Sequence, residues 1–122
     1  MAIFGGTNAK ISSTSIVESR FNIFGSVSSV GSGVEKDIVS YTVPLGKTFV
    51  LSAGSGHANT DCFFKLIVDG NIQEVEKNAW TDRNVKFIAR ITISAGSIVK
   101  ITGIHNNHLL HTFYANITGM LI

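Results

Sequence analysis

The sequence predicts an all-β protein, an antiparallel β-sandwich of jelly-roll type with an extended N-terminal arm. Three observations predict it. From residue 34 onward, apolar and polar side chains alternate with a period of two. Turn signals cut that alternation at regular intervals into roughly seven or eight short strands. No segment carries apolar residues at i, i+3, i+4 and i+7, so little helix is expected. Eight strands suit a jelly roll, and an immunoglobulin-like order is the alternative.

Residues 1–33 are rich in Ser and Gly, with scattered apolar side chains that include Ile3, Phe4, Ile11, Ile16, Phe21, Ile23 and Phe24. A disordered tail would lack the aromatics. Residues 1–12 read as an arm that docks on a neighbouring molecule, and 16–24 as a possible first strand. Ile3, Phe4, Ile11, Phe21 and Phe24 are its candidate partner-binding anchors. The sandwich domain is assigned to 34–122. Val39, Tyr41 and Val43 alternate with Ser40 and Thr42 before a Pro44-Leu45-Gly46-Lys47 turn, in which Pro presets φ and Gly relaxes the next bend. Thr48–Ala53 follows as a strand, and Gly54–Thr60 reads as a loop. Along Cys62–Val68, Cys62, Phe64, Leu66 and Val68 share one face. Asp69-Gly70-Asn71 is a strong hairpin signal, because Gly and Asn accept the positive φ of tight turns. Ile72–Lys77 returns as its partner. Asn78–Asn84 is a polar loop carrying Trp80. Val85–Ile93 reads as one uninterrupted strand, with Val85, Phe87, Ala89, Ile91 and Ile93 on one side. Ser94-Ala95-Gly96-Ser97 turns the chain. Ile98–Ile104 and Thr112–Thr118 complete the set, the last with Phe113, Ala115 and Ile117 inward.

The bulk numbers bound the function. The length of 122 residues fits one domain. Charged residues make up 15%, against roughly 25% in average soluble domains. The surface is therefore neutral and rich in Ser, Thr, Asn and Gly, and is easily desolvated against a partner. The net charge is +2, with no basic run, which argues against nucleic acid. A lone cysteine, Cys62, excludes an intrachain disulfide. The N-terminus shows no signal-peptide pattern, and no apolar run approaches the ~18–20 residues that span a bilayer. A soluble chain made in a cytoplasm, with no membrane partner, is expected.

No residue is assigned to catalysis, to a metal or to a cofactor. His105, His108 and His111 are the most tempting ligands, but on a strand 105 and 111 share a face and 108 does not. The bland reading is a polar hairpin loop between the last two strands; a pH-sensitive contact at an oligomer axis is the subtler one. Cys62 lies on an apolar face, where a thiol is inert, although His57 stands five residues before it. Of the central carboxylates, Asp69 belongs to the hairpin turn, and Glu74 and Glu76 read as a solvated outer face. Gly54-Ser55-Gly56 lacks the strand and helix context of a phosphate loop. Trp80 is a candidate anchor for a partner or a sugar, or else a cover for one end of the sandwich.

Four stretches carry a resemblance. Asp37-Ile38-Val39-Ser40-Tyr41-Thr42-Val43-Pro44-Leu45-Gly46-Lys47-Thr48-Phe49 resembles an "x-Y-T-V-P-x-G-K-x-F" opening. Lys65-Leu66-Ile67-Val68-Asp69-Gly70 resembles "k-v-x-I-D-G", and Ser94-Ala95-Gly96-Ser97-Ile98-Val99-Lys100-Ile101 resembles "s-A-G-D-x-V-x-I". Phe113–Ile122 resembles "F-x-A-x-I-x-G-x-L-I". These patterns are those of small jelly-roll structural proteins of tailed bacteriophage virions. The resemblance spans about residues 34–122 and departs at Ser97, where the pattern has Asp. It implies a capsid decoration or cement protein, located in the virion and assembled in the host cytoplasm. It would bind the major capsid protein or other virion proteins as a homo-oligomer, a trimer favoured. A tail, baseplate or fibre component that meets a host receptor or glycan is the alternative. The resemblance brings no catalytic residues.

Overall fold

A computed structural model of the chain describes residues 19–79, 84–88 and 90–122. They form β1 (Ser19–Val30), β2 (Lys36–Thr42), β3 (Phe49–His57), β4 (Cys62–Val68), β5 (Asn71–Asn78), β6 (Asn84–Phe87), β7 (Ile91–Ile93), β8 (Ile98–His105) and β9 (His111–Leu121). Among the described residues there is no helix. Two antiparallel sheets pack face to face. The first runs β1-β9-β3-β6, with β7 also on β3; the second runs β2-β8-β4-β5.

The pairing is nested. β4 and β5 form the innermost hairpin, joined by Asp69 and Gly70, both at positive φ (50° and 81°), as a type I′ turn requires. Outward from it, β3 pairs with β6 and β7, β2 with β8, and β1 with β9. The chain is thus one long folded-over hairpin, rolled so that β9 also meets β3 and β8 also meets β4.

The alternation read from the sequence becomes the core. Phe49, Leu51, Phe64, Leu66, Ile101, Phe113 and Ile117 are fully buried between the sheets. Each such side chain contributes about 1.5–3 kcal/mol relative to exposure.

Two strand readings need correction. Residues 54–57 are not loop but the second half of β3. Their glycines serve packing: a Cβ on Gly56 would stand 2.7 Å from the Phe64 ring, and one on Gly54 3.2 Å from Phe87. Val85–Ile93 is not continuous but breaks into β6 and β7. From Leu51 to Gly54, β3 advances three residues while its partner advances four, from Phe87 to Ile91. β3 turns Ser52 and Ala53 outward in succession there, and the extra residue opposite is a bulge. The expected facing survives the break. Val85, Phe87 and Ile93 are buried and Lys86, Ile88, Arg90 and Thr92 exposed, while Ala89 lies outside the described residues.

The strand expected near 16–24 is found as β1, whose described residues begin at Ser19 and pair along β9. Residues 19–30 therefore belong to the sandwich, and the arm residues 1–12 lie outside the described residues.

The strands end in two clusters of connections. One, the turn end, gathers the β2–β3 corner, the β4–β5 turn, the β7–β8 turn and the C-terminus. The other, the histidine end, gathers residues 31–35, 58–61 and 106–110.

Candidate functional site

The outward face of the first sheet is built by register. Phe24, Asn116, Ser55 and Lys86 form one cross-strand row; Ser26, Tyr114, His57 and Asn84 form the next. Phe24 is 67% exposed and stacks against Tyr114, with ring centroids 6.2 Å apart and 26° between planes. His57 packs on the other side of Tyr114, at 5.9 Å. The three rings, with Ser55, Asn84 and Asn116, line a groove of about 490 Å³. Among the described residues, the five strands of this sheet contain no Asp or Glu, and their cations Arg20 and Lys86 stand at the margins. His57 Nδ1 is buried at the groove without a hydrogen-bond partner.

The second sheet is different. Lys65 Nζ donates to Glu35 at 2.9 Å, and Lys100 lies 3.2 Å from Asp37. The Lys65 hydrogen bond, joined by the Thr102 hydroxyl at 2.9 Å, holds the Glu35 carboxyl below its ordinary pKa. Phe63, Ile72 and Val75 are exposed among these charges.

At the histidine end, His105 is buried at the end of β8. The Asn107 amide donates to its Nδ1 at 3.0 Å, so its proton sits on Nε2 and is donated to the Val30 carbonyl at 2.7 Å. His111 packs edge-on against it, with centroids 4.9 Å apart, and His108 is exposed. Contrary to expectation, the two do not share a face of one strand: His105 ends β8 in the second sheet and His111 opens β9 in the first, and their rings meet between the sheets. The loop expected between the last two strands is found at 106–110 and is largely exposed, but it crosses between the sheets rather than closing a hairpin, with His105 buried and His111 half-buried at its ends. Burial, then His105 and His108, hold His111 below its ordinary pKa, and its Nε2 is buried without a partner. Among the described residues no three His, Cys, Asp or Glu side chains come together as metal ligands do.

Cys62 is buried, and burial pushes its thiol up to about 12. A thiol so protonated is a poor nucleophile. His57, five residues before it, sits against Tyr114 instead. Glu74 and Glu76 do not form a solvated outer face. On β5 it is Gln73, Val75 and Lys77 that turn out, while Glu74, Glu76 and the buried Asn78 turn toward the β6 side. The Glu74 carboxylate accepts the Ile88 amide at 3.1 Å, and a hydrogen bond with Glu74 raises the Glu76 pKa.

The expected anchors separate. Phe24 points out. Phe21 points in, its ring 5.4 Å from both Tyr41 and Phe49, so it seals the core edge and offers no free anchor. Ile3, Phe4, Ile11 and Trp80 lie outside the described residues. The sequence reading placed the 54–60 segment, with His57, on the binding surface of its alternative, and missed Tyr114, Asn84 and Asn116. The signal for two of them was present, since Tyr114 and Asn116 alternate with the inward Phe113, Ala115 and Ile117. Among the described residues no helix is long and apolar enough to cross a membrane. No protein-family model matches the chain, and no curated protein matches it.

Proposed function

We propose that the chain is a structural protein of a tailed-bacteriophage virion, a capsid decoration or cement protein of jelly-roll type. It acts as a homo-oligomer, a trimer favoured, that binds between capsid subunits, contributes contacts and performs no chemistry. The strand order supports the jelly-roll part. With β6 and β7 taken as one interrupted strand, the pairs run first with eighth, second with seventh, third with sixth and fourth with fifth. Two Greek keys wrapped around one core produce that order.

One observation carries the likeness to virion proteins. The four resembling stretches are far apart in sequence and bond to one another at the turn end. Val43 N–H donates to Ser97 at 2.9 Å, and Gly96 N–H to Val43 at 2.8 Å. Asp69 N–H donates to Ile98 at 2.9 Å, and Thr48 and Ile122 exchange two bonds at 3.0 and 2.8 Å. Each of these bonds joins two of the stretches, so the resemblance tracks an architecture and not one local turn. The aromatic groove favours a second reading, a tail, baseplate or fibre component that meets a host receptor or glycan.

The test is cosedimentation with phage heads. The full chain pellets with the heads and raises their disruption temperature. Removing residues 1–18 leaves all of the described β1, so the shortened chain keeps its cooperative unfolding but loses the heads. Removal through residue 24 would instead cut β1 in half. Unchanged decoration by the shortened chain refutes the arm's role; failure of the full chain to bind any head refutes the capsid reading.

A further inference from the structure

We propose that the groove of Phe24, Tyr114 and His57 is a binding site for neutral carbohydrate. The inference depends on the groove and not on the virion reading, so either can fail alone.

Its volume of about 490 Å³ falls within the roughly 300–1,000 Å³ of small-ligand sites. Its lining has the two kinds of group that a pyranose needs. The exposed faces of Phe24 and Tyr114 offer an apolar platform for the C–H face of a sugar ring. The Asn84 and Asn116 amides and the Ser55 hydroxyl supply paired donors and acceptors for neighbouring sugar hydroxyls.

The charge pattern selects the class. Among the described residues, no acidic side chain stands on these strands to bind a cationic ligand, and no Lys or Arg lines this groove to bind an anionic one. Lys86 and Arg90 line the adjoining groove instead. An extended peptide would add to a free sheet edge through backbone bonds, whereas this site lies on a sheet face whose backbone is already paired.

The free full-length protein is applied to an array of neutral and acidic glycans. The best neutral hit is then titrated as a soluble oligosaccharide into labelled protein, with sialyllactose as the anionic control. Amide shifts centred on His57, Asn84, Tyr114 and Asn116 are expected. Binding should weaken at least tenfold in Phe24→Ser and in Tyr114→Ala and change less than threefold in Tyr114→Phe, which keeps the ring. Phe24 is two-thirds exposed, so its variant retains a dispersed spectrum and isolates recognition from folding. Absence of any neutral hit, preference for sialyllactose, or shifts at these residues that follow protein concentration rather than sugar would overturn the assignment.

Discussion

The two ends of the sandwich are closed by different chemistry. At the turn end most closing bonds are between backbone groups, and they are many: Val43, Thr48, Asp69, Gly96, Ser97, Ile98 and Ile122 all take part, with the Asp69 carboxylate also accepting the Ile98 amide at 2.8 Å. At the histidine end one backbone bond, from the Gly33 amide to the His105 carbonyl at 2.7 Å, is joined by closure concentrated in two buried side chains. Asn78 Nδ2 donates to the carbonyls of Ala58 at 3.1 Å and Thr60 at 2.9 Å, tying down the β3–β4 connection. His105 joins Val30 at the end of β1 to the 106–110 connection. Distributed closure tolerates the loss of any one member; concentrated closure does not.

The largest effect should follow from removing Asn78. Asn78→Ala leaves two buried carbonyls without their donor, and each unsatisfied buried group costs about 1–3 kcal/mol. A destabilisation of about 2–4 kcal/mol is expected, read from urea unfolding. A loss below about 0.5 kcal/mol, within the range of ordinary surface substitutions, would show that the connection is held by something else and break the comparison.

The turn end should yield less. Gly70 stands at φ 81° with nothing near its missing Cβ, so Gly70→Ala meets backbone strain without a clash. The left-handed conformation costs an L residue roughly 1–2 kcal/mol. The same unfolding assay should return about that loss, with the β4–β5 register preserved in cross-strand NOEs. A loss larger than that of Asn78→Ala would reverse the ranking of the two ends.

This contrast also explains what could be read from the sequence. The turn end announces itself, because Pro44, Gly46, Asp69-Gly70 and Gly96 are residue types that the backbone geometry itself demands. The sheet faces were equally legible from alternation, as Phe113, Ala115 and Ile117 show. The histidine end was not. A buried Asn78 or His105 looks the same in sequence as an exposed one, and only the pairing of β4 with β8 and β5 shows which polar groups lose water. Gly54 and Gly56 misled for a related reason: glycine that yields room to Phe64 and Phe87 is spelled like glycine that bends a loop. The groove needed four strands brought side by side, β1, β9, β3 and β6, and no local pattern encodes that neighbourhood.

The smallest expected effect is a pH slope confined to the histidine end. His111 has a folded pKa below its ordinary value of 6.5, chiefly from burial, with His105 and His108 adding to it. The unfolded chain therefore binds a proton more readily than the folded one. His111 contributes its full stability above about pH 6.5, and that contribution is lost as the pH falls through 6.5 toward the folded value. Glu76 works in the opposite sense. Its folded pKa is raised above 4.5 by the Glu74 hydrogen bond, so its contribution is complete below that value and is lost as the pH rises. The two are separable by substitution. The urea midpoint of the parent chain and of Glu76→Gln should decline from pH 7.5 to 5.5, while that of His111→Phe should stay flatter across the same window. Equal slopes in the parent and His111→Phe would remove His111 from the account and leave the histidine end held by His105 and Asn78 alone.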